Sequence, residues 1–438
     1  MLRGFLAPVL RQVPYVRGAV RVTMNTVFRV ALLPFGRNRR AGTARESSAL
    51  VEQTDALNTA AEHYFEAFDE TAFLLAKPFS DESGFPKHLF NLGVLLQGLR
   101  LRRSDVVMEF GAGSCWVSHF LNRYGCRTIA VDVSETALAL GRELFRRDPA
   151  TNWDVGPEFL AYDGHRLPLP DASCDKVIIF DAFHHVPNQR EILTELHRVL
   201  TPDGIVAMSE PGQGHADTEA SKHEVATYGV LENELVAEDV GALAMACGFR
   251  AAHLIVASPQ ALWEIPTNDL GPFIQGKGFT RFWENQSDAL VTGHYFLLYK
   301  GDPQPTTREP KALGAQILLP RGGRPLRTTR GQSTPVRVTV KNVAATRWLA
   351  GEQATGGWTR LGAHLLREGD PPEVVDFDWL RVELPHDVSR DERVRLFVQL
   401  PPIDRPGRYR VVFDLVIEGT AWFVDRGSKA ATLLLDVE

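Results

Sequence analysis

Cysteine is scarce in this sequence: Cys115, Cys126, Cys174 and Cys247 are the only four in 438 residues, and no two have C-x-x-C spacing. That excludes a zinc ribbon or a dithiol redox motif and leaves buried free thiols in a reducing compartment. No run of about 18 apolar residues occurs, so no bilayer-spanning helix is expected. Acidic residues are missing altogether from the first 45 positions, which hold nine Arg and lack the apolar core and cleavage site of a signal peptide. All 54 acids therefore lie beyond Arg45, outnumbering the Lys and Arg there, and this argues against a body that grips nucleic acid by its phosphates. The basic arm, residues 1–45, reads either as a loosely ordered tail or as a segment that docks peripherally on an anionic membrane. Its composition also fits an organellar transit peptide. The expected location is the cytoplasm, with any membrane contact confined to the arm.

What is present is an ordinary globular composition, 44% hydrophobic and 23% charged, long enough for two or three units. Helical spacing appears after Glu46, with Ala60, Tyr64, Phe65 and Phe68 recurring every three to four residues, and again around His88–Leu99. Strands and helices then alternate. The strands are Val106–Phe110, Thr128–Val131, Glu158–Ala161, Lys176–Phe180 and Ile205–Ser209; helices run from about Trp116, through Leu138–Arg146 and through Glu191–Leu200. Nearly continuous apolar strands are what a parallel sheet covered on both faces requires, so a doubly wound α/β fold is expected. A helix over Ala237–Cys247 and strands over Leu254–Ser258 and Tyr295–Lys300 complete it. The insert between the last two, with Trp263 and Trp283, reads as a substrate-covering lid.

Asp302–Pro310 reads as a linker, and beyond it the hydrophobic period becomes two. Tyr409, Val411, Phe413, Leu415 and Ile417 alternate with polar neighbours, as do Val336, Val338, Val340 and Val394, Leu396, Val398. An antiparallel β-sandwich follows from that pattern. The expected organisation is an arm over 1–45, an α/β domain over 46–303 and a β-sandwich over 311–438.

The chemistry concentrates in Glu109-Phe-Gly-Ala-Gly-Ser-Cys-Trp116, a strand running through Gly111 and Gly113 into a helix. Such a turn lets a ligand approach the backbone at the carboxyl edge of the sheet. Where the dinucleotide fingerprint needs a third glycine stands Trp116, whose bulk argues against NAD. Asp132 closes the next strand, 21 residues after Gly111, and suits the ribose of any adenosine cofactor, although an acid there is also an ordinary helix cap.

Taken together, Val107–Gly113, Val131–Ser134, Tyr162-Asp-Gly164, Leu167–Asp171, Asp181–Pro187 and Leu200–Gly204 resemble the class I S-adenosylmethionine-dependent methyltransferases, in particular the type 11 group of small-molecule enzymes. The resemblance covers about Phe85 to Lys300 and implies a seven-stranded Rossmann-like domain with S-adenosyl-L-methionine as cofactor. It also implies cofactor contacts from Glu109, Gly111, Ala112 and Gly113, from Asp132 and Val133, from Asp163 and Gly164 beside the adenine, and from Asp181. A hydroxyl acceptor needs a base, and the candidates near the sheet edge are His184, His185 and Glu210, with His215, His223 and Glu224 nearby. Shape-filling, capping and turn roles are the plain alternatives for each. No metal is expected, since no carboxylate shows HExxH spacing.

Beyond the linker, Trp348, Trp358, Trp379 and Trp422 with Pro406-Gly-Arg-Tyr409 look like an immunoglobulin-like accessory domain seen beside bacterial glycan-assembly enzymes. The resemblances together imply O-methylation of a small molecule or of a sugar in a surface glycan, as part of polysaccharide biosynthesis, with a glycosyltransferase as a candidate partner. A non-catalytic scaffold on the same fold is the alternative.

Overall fold

Continuous apolar strands do assemble into a largely parallel sheet. The computed structural model describes residues 48–67, 71–259, 262–309, 312–320, 325–352 and 356–438; the basic arm and Phe68 lie outside them. From Ala49 to Glu438 the chain belongs to one unit. Its first part comprises α1 (Ser48–Val51), α2 (Thr54–Ala67), α3 (Thr71–Leu75), α4 (Phe85–Leu99), β1 (Val106–Phe110), α5 (Trp116–Tyr124), β2 (Arg127–Asp132), α6 (Glu135–Arg147), β3 (Glu158–Ala161) and β4 (Cys174–Phe180). A single 3-10 turn, Phe183–His185, leads to α7 (Gln189–Val199), β5 (Leu200–Pro211), α8 (Glu219–Tyr228), α9 (Ala237–Ala246), β6 (Ala251–Leu254), α10 (Leu270–Ile274), α11 (Phe279–Thr292) and β7 (Gly293–Tyr299).

The sheet order is β3-β2-β1-β4-β5-β7-β6, with β7 antiparallel to both β5 and β6. Order reverses at β1, so β1 and β4 part at their carboxyl ends and open a crevice there. One face buries Met108, Phe110, Val177 and Ile179 against α7 and α9, and the other buries Val107, Ile178 and Ala207 against α4 and α5. Each of these side chains larger than Ala207 contributes about 1.5–3 kcal/mol on burial. Helix starts are set locally: Ser134 Oγ accepts the Ala137 amide at 3.0 Å and caps α6.

The last two strands depart from expectation. Residues 255–258 were expected to be strand, yet β6 is Ala251–Leu254 and ends after pairing Leu254 with Phe296. β6 is the sheet edge, with His253 and Leu254 exposed, so no second neighbour extends its ladder. Beyond it, Ala257 and Ser258 line a cavity described below. The insert carries α10 and α11 and leaves Leu270, Ile274 and Phe279 exposed.

The remaining strands are β8 (Ala315–Leu318), β9 (Leu326–Thr328), β10 (Thr334–Asn342), β11 (Thr359–Arg367), β12 (Glu373–Glu383), β13 (Arg393–Leu400), β14 (Gly407–Ile417), β15 (Ala421–Trp422) and β16 (Ala431–Val437). They form two sheets, β13-β10-β8 and β12-β11-β14-β16-β9 with β15 beside β14. Inward positions of both, among them Val338, Val398, Val411 and Phe413, share one core around fully buried Trp348. Asp302–Glu309, read from sequence as a linker, is held in place: Thr307 is buried with its hydroxyl on the Gly357 carbonyl at 2.6 Å, and Arg308 pairs with Asp203 at 2.6 Å. Short side chains that satisfy backbone groups, rather than apolar ones, fix this segment. Pro310 lies outside the described residues.

Candidate active site

The glycine turn after β1 works as its sequence requires. Gly111 and Gly113 have φ of +67° and +50°, a region L side chains avoid. A Cβ on Gly111 would meet the Ala182 Cβ at 2.4 Å, so the turn lies against the exit of β4. A Cβ on Gly113 would meet only Phe65 Cζ at 3.6 Å; this glycine faces open space. That space is a cavity of about 250 Å³ at the carboxyl edge. Glu109, Gly111, Ala112, Gly113, Asp132, Val133, Gly164, Asp181 and His185 all line it, as do Asn58, Tyr64 and Phe65 from α2, and Lys77.

Asp132 ties the two strand ends together. Its carboxylate accepts the Gly113 amide at 2.8 Å and the Ser134 amide at 2.9 Å, one on each oxygen, and each oxygen keeps a lone pair for a ligand hydroxyl. Glu109 accepts the Ser118 amide at 2.7 Å near the start of α5. Burial pushes its carboxyl up to about 8, despite the Ser118 hydrogen bonds that oppose it. Burial likewise raises Asp132 and Asp181 above the usual carboxylate range, and holds the Lys77 ammonium below its usual value. Trp116 stands edge-on to Phe180, ring centres 5.0 Å apart, and fills the floor that a third glycine would leave for close helix packing.

Asp163 is not brought to the cavity. Its carboxylate accepts the amides of His165 and Arg166, both at 2.8 Å, closing a tight turn, while its carbonyl accepts Asn58 Nδ2 at 3.1 Å. An Asp two residues before a backbone amide forms such a turn by itself. Gly164 is buried in contact with Asn58, and Tyr162 lines the wall beside it.

Glu210 holds the turn after β4 and also lines the second cavity described below. One oxygen accepts the amides of Ala182 and Phe183 at 3.1 and 2.9 Å; the other accepts the His184 amide at 3.3 Å and His184 Nδ1 at 2.8 Å. It caps the 3-10 turn and is pushed up to about 7 by burial. His184 is buried behind this contact and lines neither cavity, whereas His185 faces the cofactor-sized one, its Nδ1 on the Leu231 carbonyl at 2.6 Å. His63 stays on the surface beside Glu66.

Several lining residues carried no sequence signal. Lys77 is an isolated base between two helices, and Asn58, Phe180 and Val230 belong to segments whose facing side is set only by tertiary packing. Glu224, on α8, also lines the cavity and contacts Glu232; burial raises it.

A second cavity, of about 220 Å³, adjoins the first through Asp181, which lines both. Its wall is rich in polar side chains, Lys87, Asn91, Ser209, Glu210, Gln213, His215, Thr218, Ser258, Thr292, His294 and Tyr295, with Pro211, Ala257 and Ala289 between them; Tyr295 donates to Asn91 at 2.6 Å. Asp181 takes a left-handed φ of +48° at this junction, its amide held on the Ser209 carbonyl at 2.8 Å.

Residues 108–208, the stretch that builds the glycine turn, Asp132 and the β4 exit, match a family described as "Methyltransferase domain". The chain is 32% identical over 169 residues to a malonyl-[acyl-carrier protein] O-methyltransferase of Marinomonas sp., covering 38% of this chain and 58% of that protein. It is 33% identical over 104 residues to a demethylmenaquinone methyltransferase of Clavibacter sepedonicus, covering 24% and 40%. In both cases the match spans less than two thirds of the relative's length. A Haemonchus contortus phosphoethanolamine N-methyltransferase solved with S-adenosylhomocysteine aligns at a TM-score of 0.39 and 16% identity, over 55% of this chain and 60% of that one. The glycine cradle and the two buried acids fit an S-adenosylmethionine cofactor, and residues 108–208 have the sequence of a methyltransferase domain.

Proposed function

We propose that the chain transfers the methyl group of S-adenosylmethionine to an oxygen of a hydroxylated acceptor, a small molecule or a sugar of a surface glycan. The observation that carries this reading is the polar second cavity meeting the cofactor cavity at Asp181. Bound, the cofactor supplies an electrophilic methyl on sulfur. The protein's task is to align an acceptor oxygen with it and exclude water. Gly111–Gly113 hold the methionine part by close backbone approach, Asp132 the ribose hydroxyls, and Glu109 the charged amino end. Tyr64 and Phe65 of α2 contribute aromatic wall to the same cavity.

Asp181 is the group placed to take the hydroxyl proton, since it alone of the acids named lines both cavities. Burial raises its proton affinity above the usual carboxylate range, the direction a general base needs. Glu210 and His184 hold the 3-10 turn that follows it.

The C-terminal sheets are proposed as an immunoglobulin-like accessory domain that holds the glycan or a partner glycosyltransferase. Two features support this: the Tyr409 hydroxyl donates back to the Arg405 carbonyl at 2.8 Å, a corner common in such folds, and exposed Phe377 stacks on His364 at 4.2 Å beside Trp422. Among the described residues no helix is long and apolar enough to cross a membrane, and peripheral contact is proposed for the arm alone.

Calorimetry with S-adenosylmethionine tests the reading. Wild type should bind one equivalent and Asp132→Ala should bind at least about 100-fold more weakly, roughly 2.7 kcal/mol. No binding to wild type, or undiminished binding to the variant, overturns it. Binding without transfer to any hydroxylated acceptor, followed by mass spectrometry for a gain of one methylene, would favour the scaffold.

A further inference from the structure

Between the two cavities, three ligating side chains converge that no spacing in the sequence joins. His184 follows β4, His215 follows β5, and Glu232 follows α8; one ligating atom from each lies within 4.8 Å of the others. Glu232 Oε2 stands 2.6 Å from His215 Nε2 and 3.9 Å from His184 Nε2, and the two imidazole rings meet edge to face with centres 5.0 Å apart.

The orientation of His184 is fixed from behind. Its Nδ1 lies 2.8 Å from a Glu210 oxygen in a carboxylate that also takes three backbone amides, which leaves Nδ1 as the donor and Nε2 with a free lone pair. His184 is buried, and its Nε2 lies 3.9 Å from Glu232 Oε2, too far for a hydrogen bond. A surface ion pair explains none of this. A carboxylate behind a histidine whose other nitrogen points at a second histidine and a carboxylate is the arrangement that orients a metal ligand. Two imidazoles and one carboxylate select Zn²⁺, Fe²⁺ or a neighbouring first-row ion over Mg²⁺ or Ca²⁺, and leave coordination positions open.

We infer that His184, His215 and Glu232 bind one divalent transition-metal ion, with open positions toward the polar cavity that His215 lines. Metal binding itself does not depend on the methyl-transfer reading. Only its use, holding an acceptor oxygen beside Asp181, rests on that reading.

The full chain, stripped with a chelator, is titrated with Co²⁺ and followed by its visible d–d absorption. One equivalent should bind saturably, and azide should shift the band by entering an open position. Glu232→Gln and His215→Ala should each abolish the saturable band, and Glu210→Gln, acting through His184, should weaken it about 10–100-fold. His215 is partly exposed, so its variant is the one expected to stay folded, checked by an unchanged circular dichroism spectrum. The proposal is overturned if wild type shows no saturable Co²⁺ binding, or if folded His215→Ala binds as wild type does; a band indifferent to azide overturns the open position. Asp132→Ala keeps the Co²⁺ band while losing S-adenosylmethionine, so the two readings fail separately.

Discussion

The two halves of this chain bury polar side chains for opposite purposes. In the C-terminal sheets, Asn342 is spent on the carbonyls of Thr346 and Val388, and Asp414, the one buried acid there among the described residues, on the amides of Leu415 and Val424. Each closes a turn or strand end within its own neighbourhood. At the carboxyl edge of the seven-stranded sheet, Glu109 and Asp132 accept backbone amides on one side and face a cavity on the other, and Asp181 lines the same cavity. Polar burial satisfied locally is architecture; polar burial left facing a cavity is available for chemistry.

Substitutions in each half should therefore separate stability from cofactor affinity. The largest effect is expected from Trp348→Ala, which empties the C-terminal core and should cost about 3–5 kcal/mol in urea unfolding while leaving the calorimetric Kd for S-adenosylmethionine unchanged. A changed Kd would break the distinction. Gly111→Ala does the reverse: a left-handed position costs about 1–2 kcal/mol, and the clash with Ala182 should move the turn and weaken cofactor binding at least about tenfold.

Next comes pH. Glu109 and Glu210 titrate near 8 and 7 in the folded chain against 4.5 ordinarily, so the native state holds protons the unfolded chain has released. Their contribution is fully present below about 4.5 and is lost as pH rises to about 8, and the free chain should melt at progressively lower temperature across that window. The positively charged cofactor favours ionised Glu109, so binding at pH 7 should release a proton, seen as a dependence of binding heat on the buffer's ionisation enthalpy. Smallest is Tyr409→Phe, which removes one hydrogen bond in the C-terminal half and should cost about 1 kcal/mol with no effect on cofactor affinity.

Sequence periodicity was enough to find β1, β3 and the alternating strands β10, β13 and β14, because their side-chain pattern is what each sheet face demands. Glu109, the glycines and Asp132 were legible for a related reason: the turn and the strand end that carry them are local. Asp163 escaped for a local reason, its carboxylate closing a turn on its own loop. The rest was decided across the chain: Glu210 became the cap of a turn 26 residues earlier, and the antiparallel β7 slipped between β5 and β6. His184, His215 and Glu232 span 49 residues and three segments, so no short window of sequence contains them as a group.

The lining of the cofactor cavity also bears on what happens after the reaction. Its titratable side chains include Glu109, Asp132, Asp181 and Glu224 against Lys77 and His185. Methyl transfer turns a sulfonium into a neutral thioether, so the acids lose a cation they had been holding and are left crowded in a poorly hydrated space. On the proposed reading, departure of the spent cofactor is thereby favoured, and the same acidic lining bears on both the binding of the donor and the emptying of the site.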